Sequence, residues 1–248
     1  MSEKTNDEQL FEMLKSYTRN SSSKELEVRF GINTSYNPLT RENFENIISK
    51  FESYGFKQIW SDGEYHLNIN SEYIDSKTGF KKLSNLRTQI YGFNNIQRYC
   101  KKNTFDIENV PNHITFLKKT RIKHDTIIGK FYNPIIYNDF EFRINYKNED
   151  ELEKNDRFVR ILLESWNDSK KIFRFIKRYT LTHPKYPFKI DCSIVKTSKQ
   201  RKNAKGNYWM VPQYNIKDSG VFENIEHFEI ELELINLNNK SDFGNDLI

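Results

Sequence analysis

Apolar and polar residues alternate along most of this chain with a period of two, the pattern of strands whose two faces meet different surroundings. The clearest such stretches are residues 24–30, 64–69, 83–91, 114–122, 140–146, 172–181, 188–196, 208–211 and 228–235. Turn-formers separate them: Asp62-Gly63, Thr78-Gly79, Gly92, Asn133-Pro134, His183-Pro184 and Asp218-Ser219-Gly220. Two segments change period. Residues 7–19 place Leu10, Phe11 and Leu14 at helical spacing. Residues 40–54 open on a capping Thr40, put Phe44, Ile47, Ile48 and Phe51 on one face and stop at Gly55. Residues 156–166 suit either state. Many strands, short connections and only two firm helices predict the α+β class, mainly antiparallel β, with the sheet closed on itself or folded into a sandwich.

Composition sharpens the strand reading. Hydrophobic residues make up only 36% but aromatics 15%, and Ala204 is the single alanine. Such a core leans on Phe, Tyr and Ile, which favour strands. The net charge of +5 agrees with a polyanionic partner. Cys100 and Cys192 make no CxxC pair, so reduced thiols in a cytosol-like compartment are expected. No apolar run is long enough to span a bilayer and MSEKTNDEQ is no signal peptide, which predicts a soluble, intracellular protein. One domain is expected over residues 1–237. The 199–206 run (KQRKNAKG) reads as a basic loop, and 238–248 as a polar linker or tail leading to further domains.

The alternation also sorts charge onto faces. In ELEVRFG, Glu25, Glu27 and Arg29 share one side of a strand and Leu26 and Val28 the other; late in the chain Glu229, Glu231 and Glu233 stand against Ile230, Leu232 and Leu234. A single such strand is usually a solvated face. Two of them crowd like charges that a divalent cation would neutralise. The strands between are basic. One carries Arg87 and FLKKTRI carries Lys118, Lys119 and Arg121. FEFRIN carries Glu141 and Arg143, IFRFIKRYT carries Arg174, Lys177 and Arg178, and FKIDCS carries Lys189, Asp191 and Ser193. Together they describe a barrel with an apolar outside, covered by helices, and a charged lumen suited to a phosphate chain. No GxxxxGK[ST], HExxH, GxSxG or GxGxxG is present, and the five histidines are scattered.

These residues resemble the triphosphate tunnel metalloenzymes over about residues 20–237. Within them the chain is most similar to the RNA triphosphatases of fungal and large-DNA-virus capping enzymes, of the giant-virus (mimivirus) type. The resemblance implies a closed eight-stranded barrel and a one-step hydrolysis of the γ-phosphate of 5′-triphosphate RNA with Mg²⁺ or Mn²⁺. It implies metal ligation by Glu25, Glu27, Glu231 and Glu233, with Glu229 in support. Glu141 would orient water, and Arg87, Lys177 and Arg178 would grip the phosphate with Lys189 and Asp191 beside them. Arg29, Lys119, Arg121, Arg143, Arg174 and Ser193 would line the substrate. Strict alternation leaves open which of Arg174, Lys177 and Arg178 face inward, and the same holds for Lys118, Lys119 and Arg121. Fusion to guanylyltransferase and methyltransferase domains, and a place in the host cytoplasm or virion, are further implications. Relatives acting on tripolyphosphate or nucleoside triphosphates share the signature, and a non-catalytic RNA-binding module remains an alternative.

Overall fold

The computed structural model describes residues 5–19, 23–31, 38–125, 127–202, 206 and 208–235; the predicted tail at 238–248 and the middle of the basic loop lie outside them. Along the chain run α1 (Asn6–Arg19), β1 (Lys24–Phe30), α2 (Arg41–Ser53), β2 (Lys57–Gln58), β3 (Glu64–Ile74) and β4 (Lys81–Tyr91). There follow α3 (Phe93–Lys102), β5 (Ile114–Arg121), β6 (Ile135–Tyr137), a 3-10 turn (Asn138–Phe140), β7 (Phe142–Glu151) and α4 (Arg157–Glu164). The remainder comprises β8 (Lys171–Thr182), β9 (Phe188–Thr197), β10 (Gln200–Lys202), β11 (Tyr208–Met210), α5 (Ile216–Ser219) and β12 (His227–Leu234).

Eight strands close a barrel in the order β1-β12-β9-β8-β3-β4-β5-β7, and β7 returns to β1, every pairing antiparallel. Closure removes the edges that an open sheet would expose. β2 and β6 add to β8 and β7 from outside, and β10 with β11 forms a separate hairpin.

The apolar core lies between the barrel and its helices, which is why so few hydrophobic residues suffice. Leu67, Ile69, Phe116 and Phe173 on the outer faces of β3, β5 and β8 pack beneath Ile96 and Tyr99 of α3 and Val159 and Leu163 of α4. α1 covers Leu26, Ile144 and Tyr146 with Met13 and Tyr17. α2 brings Phe44 to Leu181, Ile190, Cys192 and Ile230. Each large apolar side chain so buried contributes about 1.5–3 kcal/mol relative to exposure. No helix among the described residues is long and apolar enough to cross a membrane.

Several expectations need correction. α1 forms where the spacing predicts, but Phe11 is 67% exposed and Leu14 faces outward. Polar anchors choose the docked face: Tyr17 donates to the Leu234 carbonyl at 2.9 Å, and Tyr146 donates to Ser16 at 3.1 Å. Two firm helices become five, since 156–166 resolves into α4, and α3 and α5 are additional. β7 starts at Phe142 rather than 140, because the chain leaves the 3-10 turn through Glu141 in the left-handed region, φ 51°.

Candidate active site

Register fixes which side chains meet inside the barrel, because partners opposite each other in a ladder share a face. β1 sits between β12 and β7, with Glu27 opposite both Glu233 and Asn145, and Arg29 opposite Glu231 and Arg143. β12 continues the wall onto β9, placing Glu229, Glu231 and Glu233 against Ser193, Asp191 and Lys189. Ser193 and Asp191 lie opposite Arg178 and Thr180 of β8, and Arg174 shares their face. Across β3, Arg174 meets Asn68, which meets Gln89; Asn70 meets Arg87, and Lys119 on β5 meets Glu149 of β7. The alternating ExE strands therefore form one acidic wall, and cations line the rest.

Many of the acids and cations are paired. Lys119 bridges Glu25 at 2.6 Å and Glu149 at 2.8 Å. Glu27 accepts from Asn145 at 2.9 Å. Glu229 contacts both Arg29 and Arg174, and Arg29 also lies 3.6 Å from Glu231. Arg178 lies 3.3 Å from Asp191 and 3.7 Å from Glu231, and its Nε donates to Ser193 at 3.2 Å. Lys189 reaches Asp191 at 3.6 Å and Glu233 at 3.0 Å, and the Thr180 hydroxyl donates to Asp191 at 2.6 Å.

Burial and neighbours tune these groups unequally. Burial raises the Glu27 carboxyl, and Glu25 and Glu231 raise it further. Burial likewise raises Glu233, with Glu25 and Asp191 adding to it against the pull of Lys189. Burial also works to raise Asp191, but Arg178 and Lys189 outweigh it and hold that carboxyl below its ordinary value. Lys119 is raised, Glu25 and Glu149 overcoming the burial that opposes them. Asp191 is thus a committed anion that holds two cations in place, whereas Glu27 and Glu233 carry charge they would readily share.

Most expected residues converge, and some do not. Glu25, Glu27, Arg29, Arg87, Lys119, Arg143, Arg174, Arg178, Lys189, Asp191, Ser193, Glu229, Glu231 and Glu233 all take lumen-facing positions. Lys177 does not: it projects outward, 5.5 Å over the Tyr65 ring and 5.1 Å over Tyr179, because Arg174 and Arg178 take the inward positions of β8. Lys118 is outward too, 4.0 Å over Phe158 of α4. Arg121 has the parity of Lys119 but turns at the rim, donating to Asn133 at 2.8 Å and lying 4.8 Å over Phe131. Glu141 sits in the left-handed turn before β7 rather than on the strand, so alternation does not aim its carboxylate inward.

Of the lumen residues outside the expected set, three bear most directly on the site. Glu149 occupies the β7 position beside Lys119. Asn145 holds Glu27. His66 lies within 3.4 Å of Gln89, which itself accepts from the Tyr91 hydroxyl at 2.9 Å. Burial and the charge of Arg178 push His66 down to about 4, so it stays neutral at physiological pH. The sequence signal was the alternation His66-Leu67-Asn68-Ile69, whose polar members carry no formal charge.

As placed, no three carboxylate, imidazole or thiol groups among the described residues gather closely enough to hold a metal ion. The donor set nonetheless suits a hard divalent cation. It is all oxygen, and Glu27 and Glu233 face each other across the β1–β12 ladder. Both carboxyls are raised by burial and by further carboxylates, a crowding that an added cation would relieve.

No family model matches the sequence, and no curated protein matches it significantly. Solved structures do. A mimivirus capping enzyme triphosphatase superposes with a TM-score of 0.59 at 18% identity, covering 96% of this chain and 94% of that one. The RNA triphosphatase domain of a trifunctional mimivirus mRNA capping enzyme gives 0.54 at 15% identity, covering 98% and 94%. The closed tunnel barrel expected from the sequence is therefore the fold of this chain.

Proposed function

We propose that this chain removes the γ-phosphate from the 5′-triphosphate end of RNA with Mg²⁺ or Mn²⁺, leaving a 5′-diphosphate end for capping. The observation that carries the reading is the lumen itself: a wall of glutamates on β1 and β12 facing Arg87, Lys119, Arg174, Arg178 and Lys189. In the free protein Lys119 pairs with Glu25, Arg174 with Glu229, Arg178 with Glu231 and Lys189 with Glu233. A triphosphate offers the cations a better anion, so Arg174 leaves Glu229 and Arg178 leaves Glu231 to bind phosphate oxygens. Glu25 and Glu233, released from Lys119 and Lys189, become free to hold a divalent ion with Glu27, which the Asn145 amide positions. That ion, when bound, supplies Lewis-acid polarisation of the phosphate under attack. Asp191, held by Thr180 and kept anionic, fixes Arg178 and Lys189 where negative charge grows. Glu149, which faces the lumen beside Lys119, is the carboxylate we assign to orienting the attacking water. His66 adds a neutral N–H donor, and no covalent intermediate is required.

The likeness to the mimivirus domains supports this reading, and the trifunctional character of one of them supports fusion to further capping domains. One observation favours a wider substrate range: every lumen group assigned here addresses phosphate oxygens and none a base. Free tripolyphosphate and nucleoside triphosphates are accordingly expected to be cleaved as well. The deciding experiment is phosphate release from γ-labelled triphosphate RNA, with and without Mg²⁺ or Mn²⁺, for wild type, Glu27→Ala and Glu233→Ala. Metal-dependent release that both substitutions reduce at least about a hundredfold supports the proposal. Release indifferent to metal and to both glutamates overturns it, and RNA binding without any release points to a non-catalytic module.

A further inference from the structure

Where β3 begins and β4 ends, the barrel rim carries a hollow of about 450 Å³ lined by Trp60, Gly63, Glu64, Tyr65, Tyr91 and Phe93. Two of its lining residues neighbour lumen residues in the ladder. Glu64 is the ladder partner of Arg178, and Tyr91 is the partner of His66, with its ring 5.0 Å from the imidazole. Tyr65, one residue on, faces outward and meets the Phe93 ring at 5.1 Å.

The hollow is aromatic, open and held firmly. Trp60 is 57% exposed and Phe93 48% exposed, yet the backbone that presents Trp60 is pinned to β8. The Ile59 N–H donates to the Thr180 carbonyl at 2.9 Å, and the Gly63 N–H closes a turn onto the Trp60 carbonyl at 3.1 Å. Gly63 has φ +72°, and a Cβ there would meet the Arg178 carbonyl oxygen at 2.9 Å, so the turn needs glycine to lie this close. Lys177 stands beside the hollow, over Tyr65 and Tyr179.

We infer that this hollow is a stacking subsite for the first nucleobases of the RNA whose triphosphate occupies the lumen, with Lys177 contacting the phosphodiester that joins them. The inference rests on the proposed activity and adds to it what the lumen lacks, a means of preferring a polynucleotide over a bare triphosphate. Every base has a π face, so rings presented in this way bind without reading sequence. Lys177, outside the lumen and over the rings of Tyr65 and Tyr179, thereby gains a role that the triphosphate does not give it.

The test compares KM for a short triphosphate-ended oligoribonucleotide with KM for inorganic tripolyphosphate, in wild type, Trp60→Ala and Phe93→Ala. Both side chains are largely exposed, so folding is expected to survive, and circular dichroism checks it. Each substitution is expected to raise KM for the RNA about tenfold, the loss of one stacked base, while leaving tripolyphosphate unchanged. Equal changes on both substrates, or none on the RNA, overturn the subsite. If wild type releases phosphate from neither substrate, the activity fails, and fluorescence anisotropy of the labelled oligonucleotide decides the subsite: weaker binding by Trp60→Ala sustains it, and unchanged binding refutes it.

Discussion

Asp191→Asn is expected to lower stability by about 2 kcal/mol, and Asp191→Ala by about 3. Stranding a fully buried charge by removing its partner costs about 3–5 kcal/mol. Here two cations lose a partner, but neither is left alone: Arg178 keeps Glu231 at 3.7 Å, and Lys189 keeps Glu233 at 3.0 Å. Their side chains are also 27% and 32% exposed, so water takes up part of the loss and brings the figure to the lower value. Asparagine retains an acceptor for the Thr180 hydroxyl, whereas alanine removes it and adds about 1 kcal/mol. In a domain of this size that is a fall in Tm of about 4–8 °C for Asn and 6–12 °C for Ala. The assay is urea and thermal denaturation in metal-free buffer, followed by circular dichroism. The sign with pH is fixed as well. The folded carboxyl lies below its unfolded value of about 3.9, so the wild-type advantage is full above that pH and fades as pH falls through the folded value. Indistinguishable wild type and Asn variant at pH 7, or equal losses for Asn and Ala, would refute the assignment of Asp191 as a charge anchor.

Three other outcomes follow from the same geometry. Glu27→Gln should raise Tm in metal-free buffer, since Glu27 ionises against burial and against Glu25 and Glu231, while abolishing any thermal shift produced by Mn²⁺; a lowered Tm contradicts the crowding argument. Lys119→Ala should cut phosphate release at least about a hundredfold and Lys118→Ala less than about threefold, because only the former faces the lumen; comparable kcat values for the two would place the register wrongly. Burial pushes Lys171 down to about 8, its ammonium donating to the carbonyls of Trp166 and Ser169. The unfolded chain therefore binds more protons between about pH 8 and 10.4, wild-type stability should rise with pH across that window, and Lys171→Met should show no such rise in chemical denaturation.

β1 could be read to the residue because ELEVRF alternates without interruption between two chain breaks in the pattern. The same rule, applied to β8, shows that Arg174 and Arg178 cannot share a face with Lys177, but only the β3 and β9 registers say which side is inward. Glu149 lies past the 140–146 stretch in which alternation is clearest, although it belongs to the second half of β7. Glu141 stands in an apparently alternating FEFRIN whose first two residues precede β7, which begins at Phe142. α3 was obscured by its asparagines and aromatics, weak helix formers, and only its packing of Ile96 and Tyr99 onto the barrel makes it a helix. The fold and the acidic wall were therefore legible, since both rest on local periodicity. The identities of the inward cations depend on tertiary register.

Closure of the barrel through the β1–β12 ladder also dictates its order of assembly. Glu27 must find Glu233, roughly 200 positions later, a separation that makes the last pairing slow and leaves it until synthesis has passed β12. Until then β1, even when joined to β7, offers a free ladder edge to any neighbouring chain. The row of Glu229, Glu231 and Glu233 on β12 makes that strand a poor template for a copy of itself in either direction, and the row of Glu25, Glu27 and Arg29 on β1 does so for parallel pairing, because like charges would meet. The residues assigned above to holding an ion in the finished tunnel thus act, while it forms, as gatekeepers against aggregation.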